Sequence, residues 1–343
     1  MFRRLRRCRH RSLFQPKLTE PEREHLMMID LRALLLCTLP ATLLAACGGG
    51  IAPLNSIAVA NQRPAMKSQT FQYVGESIQT FQVPAKVTNI TITAEGAGTP
   101  SARGGFAKAT IGVHPGAMLA IVVGGAPHGY KGGYNGGGAG GVCGIDGPCP
   151  LRAEGGAGAS DVRIDGSAQK DRVLVAGGAG GNGGAGQYNG GFGGVGGGVV
   201  GSLGDNGVGV DTASYGLVGG GGGGGGGSRF AGGKHGAPGK AGSQNIIPGN
   251  PGTAGALVDG GTGGPSAGAD LAGGSGGGGG GGYYGGGGGG SGANGSKDDR
   301  FGKGVGSGGG GGGGSSFIVS RAKNIDIETG NGSDKNGLVI ISW

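Results

Sequence analysis

"GGAGGNGGAGQYNGGFGGVGG", residues 177–197, decides how the rest of the chain is read. As composition alone it is a flexible linker, because glycine has no side chain to bury and loses more backbone freedom on ordering than any other residue. Counted in threes from Gly178, however, positions 178, 181, 184, 190, 193 and 196 are all glycine, and only Gln187 breaks the series. Three residues per turn is the period of the polyproline II helix, which leaves its own backbone groups free for partners. Helices with a glycine edge approach closely enough for N–H···O=C and Cα–H···O contacts between them. Residues 276–290, "GGGGGGGYYGGGGGG", set two tyrosines in such a run. Tyr283 and Tyr284 are expected to lie over glycine edges with their hydroxyls at the surface. Tyr134, Tyr188 and Tyr215 are expected to do likewise, and these five rings are the candidate binding surface.

Outward from this stretch, 90 of the 97 glycines among 343 residues lie between Gly96 and Ser315. The glycine share is about four times the usual one. The flanks have ordinary composition and read as strands by alternation. "FQYV" and "IQTFQVP" carry Phe71, Tyr73, Ile78, Phe81 and Val83, and "TNITITAEG" puts Ile90 and Ile92 on one face. "GGFAKATIGVHPGAMLAIVVGG" gives two strands joined at His114-Pro115-Gly116; "SDVRI", "DRVLVAGG", "SSFIVS" and "GLVIISW" follow. No segment shows a convincing helical period after the N-terminal apolar stretch. The expected fold is mainly β, an antiparallel sandwich over residues 71–343, with the glycine region (about 96–315) inserted in one domain. Strands on both sides must pair, and a structureless loop of that length inside one sandwich is improbable.

The N-terminal end points to an envelope location. "ALLLCTLPATLLAA", residues 33–46, is an apolar core too short to span a bilayer and suited to a signal peptide. It ends in "LAAC", a lipobox pattern, which predicts cleavage before Cys47 and lipidation of its thiol; the alternatives are an ordinary signal peptide cut nearby or a short anchor helix. Residues 1–46 then form the signal region, with Met27 or Met28 as the expected start, and residues 47–70 a lipidated tether. The expected location is the bacterial cell envelope, on the outer membrane. Cys8 and Cys37 fall in the removed part, which leaves Cys143 and Cys149 as an even pair in an oxidising compartment, favouring a disulfide.

The formal charge of +8 carries little functional weight. Residues 1–46 hold nine Lys/Arg against four Asp/Glu, and no concentrated basic face remains, which argues against nucleic acid as a partner. Enzyme motifs are absent or accidental. G-x-G-x-x-G recurs wherever glycine does, and means nothing without a strand–turn–helix context. "GGSGG" around Ser275 imitates a nucleophile elbow among more glycine. His114, His128 and His235 are far apart in sequence, and two cysteines without a nearby histidine make a poor zinc site. No metal, cofactor or catalytic group is expected. Asp161, Asp165 and Asp171 flank a hairpin and are expected to keep its ends in water.

"FQVPAKVTNITITAEGAG", "GGYNGGG", "GGAGASDVRI", "DRVLVAGGAGG", "GGYYGGGGG" and "GGGSSFI" occur in this order. Together with the strands above they resemble the glycine-rich domain of the anaplastic lymphoma kinase and leukocyte tyrosine kinase receptors and of many bacterial surface proteins, over roughly residues 71–343. The resemblance implies a tumour-necrosis-factor-like β-sandwich with an inserted polyglycine helix bundle, and a part in binding a protein ligand outside the cell. Glu95 stands where that family often has a large aromatic. The kinase motifs (a lysine-bearing strand, H-R-D, D-F-G) are missing, so no kinase activity is expected. The expected function is non-enzymatic display of a receptor-like module for binding a protein or glycan, or for adhesion. A structural envelope component without a specific ligand is the alternative, and a hydrolase of envelope polymers finds no residue constellation.

Overall fold

In β3 (Asn89–Glu95) Ile90, Ile92 and Ala94 are buried while the residues between them are not. β4 (Phe106–Gly112) repeats the pattern with Ala107, Ala109 and Ile111. This in–out alternation is what a strand with one apolar face produces. A computed structural model describes residues 66–142, 152–212, 216–242, 246–268, 273–295 and 304–343. The described residues are mainly β, all strand pairs being antiparallel, with a single 3-10 turn at Gln169–Asp171.

One sheet runs β1 (Ser68–Gln72), β12 (Leu338–Ser342), β3, β4, β11 (Lys323–Glu328); a second runs β10 (Phe317–Ile318), β7 (Arg172–Ala176), β6 (Ser160–Ile164), β5 (Met118–Val122), β2 (Gln79–Gln82). β8 (Val210–Thr212) and β9 (Gly216–Val218) form a separate hairpin. One apolar core draws on both large sheets, with Ile92 and Ile111 from the first and Leu119, Ile121 and Leu174 from the second. Phe81 meets Phe71 edge-on at 6.3 Å and Trp343 at 5.1 Å, which joins the start and the end of this region. The second sheet is covered on its other face as well, since every residue of β7 is buried.

The glycine segments supply that cover, without regular strand or helix assignment but with extensive backbone bonding. The N–H groups of Gly308, Gly311 and Gly314 donate to the carbonyls of Gly184, Gly181 and Gly178. Those of Gly309, Gly312 and Ser315 donate to Gly290, Gly287 and Tyr284, and those of Ser307, Gly310 and Gly313 to Val208, Asp205 and Ser202. Their carbonyls accept in the same rhythm: Gly308, Gly311 and Gly314 from Gly191, Gly194 and Gly197; Ser307, Gly310 and Gly313 from Gly221, Gly224 and Gly227; Gly306, Gly309 and Gly312 from Gly274, Gly277 and Gly280. All of these distances lie between 2.8 and 3.0 Å. The segment 306–315 is thus ringed by six others, and successive residues address different neighbours.

That geometry explains the glycine. A Cβ on Gly309, Gly310 or Gly311 would lie 2.2, 2.1 or 2.0 Å from the carbonyl oxygen of Gly222, Phe192 or Gly278 respectively, so all three registers are closed. Toward the edge fewer are closed. In residues 178–186, Gly178, Gly181 and Gly184 bond one way and Gly180 and Gly183 face Gly311 and Gly308, while Ala179, Asn182 and Ala185 occupy the remaining register. In residues 233–240 only Gly233, Gly236 and Gly239 are buried, and Lys234, His235, Pro238 and Lys240 stand in the open registers.

Candidate binding surface

Where the second sheet meets the glycine segments, a polar seam is buried. Asp161 and Arg163, two apart in β6, share the face turned from the apolar core, and Arg172 lies opposite Arg163 on β7. The Arg163 Nε donates to Asp161 Oδ1 at 2.6 Å and its Nη2 to Oδ2 at 3.2 Å. Asn135 Nδ2 donates to the same carboxylate at 2.9 Å and to the Ala159 carbonyl at 2.6 Å. Paired and hydrogen-bonded, the buried carboxylate has its charge met. The sequence reading leaves Asp161 in water; it is fully buried instead, because the sheet face it occupies is covered. Asp171 does work at a turn, accepting the Ala168 N–H at 3.0 Å.

Arg172 completes the seam. Its Nε donates to the Gln169 carbonyl at 2.9 Å and its Nη1 to the Gly282 carbonyl at 3.1 Å, and its guanidinium stands 5.0 Å over the Tyr283 ring. Burial pulls its pKa down while the nearby Asp161 charge opposes that shift; the group stays cationic, as guanidinium does in proteins. Tyr283 stacks on Phe317 and meets Tyr284 edge-on at 5.5 Å. Both tyrosines are half-buried and serve the joint between sheet and glycine segments.

Tyr134 adjoins the seam, next to Asn135 and close enough to feel the Arg163 and Asp161 charges. Tyr134 is half-buried, tilted against Tyr73 at 6.4 Å, and burial raises its phenol above the ordinary range. Tyr188 is 52% exposed. Tyr215, Cys47, Cys143 and Cys149 fall outside the described residues. Of the described candidate tyrosines, Tyr188 makes no ring contact with the others.

Tyr188 instead shares a groove with residues that the sequence reading did not single out. Phe192, 60% exposed, and Val208 line it together with Asn189, Gly190, Gly191, Asp205 and Asn206, around a volume of about 460 Å³. Its floor is a pair of antiparallel segments, with the Asp205 N–H bonded to the Phe192 carbonyl at 2.8 Å and the Ser202 N–H to the Val195 carbonyl at 3.0 Å. Leu203, Val199 and Val200, outside the groove's lining, are exposed as well. A signal was present in the sequence: Asn189, Phe192 and Val195 recur every third residue among glycines, the mark of an open register.

Ser275 is wholly buried and its Oγ accepts the Ala153 N–H at 2.9 Å, so the elbow-like "GGSGG" is an internal backbone cap. Ser291 and Ser307 act similarly, accepting from Asn250 and Gly186. His114, His128 and His235 are exposed. Among the described residues, no group of three or more His, Cys, Asp or Glu could hold a metal ion, and no helix is long and apolar enough to cross a membrane. In comparison with known proteins, the chain matches no family model and no curated sequence.

Proposed function

We propose that this is a non-enzymatic envelope lipoprotein that displays a receptor-like glycine-rich module for binding a protein or glycan partner. The observation that carries the reading is the Tyr188–Phe192–Val208 groove, an exposed apolar surface on segments tied to each other and to their neighbours by backbone hydrogen bonds. Exposed apolar strips of this kind mark interaction sites, and a braced scaffold keeps the ordering cost of binding low. Cys47 is the proposed lipid anchor and the outer membrane the location; the tether expected over residues 47–70 ends before β1, whose Ser68, Gln69 and Thr70 pair with β12.

The fold proposed for the module is a tumour-necrosis-factor-like sandwich with an inserted bundle of polyproline II helices. In support stand the single core shared by two five-stranded sheets and the three-residue rhythm of the backbone bonds. None of the glycines in residues 276–290 has a positive φ, as a left-handed helix of negative φ requires.

A second reading, a structural envelope component with no specific partner, draws on the seam, where Tyr283 and Tyr284 brace the fold and are not displayed. Screening the full-length protein in detergent micelles against envelope glycans and surface proteins separates the two. Saturable binding of a specific partner supports the display function; absence of saturation across the screen favours the structural one.

A further inference from the structure

We propose that the groove over Tyr188, Phe192 and Val208 binds a proline-rich segment of a partner protein, extended with three residues per turn. The inference rests on reading the module as a binding domain and names the chemistry of its partner.

The groove occupies the position at which one more extended segment would join the packing. Along residues 201–208 the N–H groups of Gly201, Gly204 and Gly207 bond to Gly227, Gly224 and Gly221, and those of Ser202 and Asp205 to Val195 and Phe192. The third register, Leu203 and Asn206, has no backbone acceptor among the described residues, and neither have the N–H groups of Phe192 and Val195 on the neighbouring segment. Each pair is spaced by three residues, about 9 Å in a polyproline II helix. The Asn206 side chain reaches across to the next segment, where its Oδ1 accepts the Gly223 N–H at 2.8 Å.

The outward positions decide what can occupy the site. Inside the packing, neighbours approach so closely that a Cβ would meet a carbonyl oxygen; here the exposed side chains of Tyr188, Phe192 and Val208 line the groove instead. A further glycine segment would bring no side chain to pack on this apolar lining. A proline-rich segment suits the same surface for three reasons. Its rings pack on Tyr188 and Phe192, its carbonyls repeat every third residue as acceptors, and it has no N–H to strand over apolar lining. It is also extended before binding, which spares ordering entropy. The exposed Asp205 carboxylate at the rim favours a basic residue beside the prolines.

The test titrates the full-length protein in detergent micelles with a fluorescent decaproline peptide ending in arginine, and with a glycine–serine peptide of equal length and the same ending. Saturable binding of the proline peptide alone is expected. Tyr188→Ala and Phe192→Ala should each weaken it by about tenfold, whereas Phe230→Ala, at an exposed position outside the groove, should not; melting curves verify that each variant is folded. No saturation by the proline peptide, equal binding of both peptides, or unchanged affinity in Phe192→Ala would overturn the inference. If the wider screen then finds a partner whose binding survives Phe192→Ala, the display function stands and only the proline-rich partner is lost. If the screen is empty too, both fall.

Discussion

Tyr283 and Phe317 lie ring on ring, their centroids 4.1 Å apart and their planes 14° from parallel. The first closes a glycine run; the second opens β10 at the edge of the second sheet. With Arg172 above Tyr283 and bonded to Gly282, this stack ties the sheet to the glycine run 276–282. Tyr283→Ala removes the ring from both partners and should lower stability by about 2 kcal/mol, a fall in Tm of about 4–8 °C. Tyr283→Phe keeps the ring and should melt close to the parent. Thermal melts of the two variants check this; equal losses would show that the ring contacts are not the source.

Glu95 gives a pH dependence whose sign can be worked out. On the first sheet it lies between Leu338 and Phe106 in register, and burial raises its carboxyl pKa, with Arg103 opposing the shift. The folded state therefore binds this proton more tightly than the unfolded chain. Its contribution is most favourable at acid pH and is lost as pH rises through the raised folded value. Glu95→Gln should raise Tm slightly at neutral pH, by under about 2 °C for so solvated a group, and the gain should vanish below the ordinary carboxylate range. A gain that persists unchanged into acid would contradict the assignment.

Some of this was legible in the sequence and some was not. Ile90, Ile92 and Ala94 alternate with polar residues, so β3 could be read directly, as could β4 to β7 and β12. β11 was missed: it lies at a sheet edge with almost every residue exposed, and its alternation amounts to Ile325 and Ile327 alone, of which only Ile327 packs on the core. β8 and β9 are only three residues each. Asp161 was misread because a carboxylate in a strand looks solvated unless its partner is noticed; Arg163, on the same face two residues on, was that partner. The glycine pattern held more than period three. The ringed segment 306–315 has glycine in nearly every place, 178–186 carries one register of side chains, and 233–240 carries two with only Gly233, Gly236 and Gly239 buried, so in these segments the spacing of non-glycine residues follows position in the packing.

Lipidation of Cys47 follows from "LAAC" after a fourteen-residue apolar core. Mass spectrometry of protein purified from membranes should find an acylated N-terminal Cys47, and Cys47→Ser should release the protein, since acyl chains contribute about 0.8 kcal/mol per buried CH₂. An unmodified mature terminus elsewhere would refute it.

Cys143 and Cys149 should be linked in the mature protein. Thiol titration of the unfolded, unreduced protein is expected to give close to zero, and two reactive thiols would count against the bridge. The closed loop is short, so reduction should cost only about 2 kcal/mol.

The central claim is that the glycine runs are packed and position-specific, and a pair of melting curves tests it most directly. A Cβ on Gly311 would lie 2.0 Å from the Gly278 carbonyl oxygen, whereas Ala185 already carries a side chain in an open register. Gly311→Ala should lower Tm by several degrees or prevent folding, given a crowding penalty of about 1–3 kcal/mol, while Ala185→Val should leave Tm within about 1 °C. In an unpacked linker Gly→Ala is neutral or slightly stabilising. Equal melting temperatures for Gly311→Ala, Ala185→Val and the parent would contradict the packing.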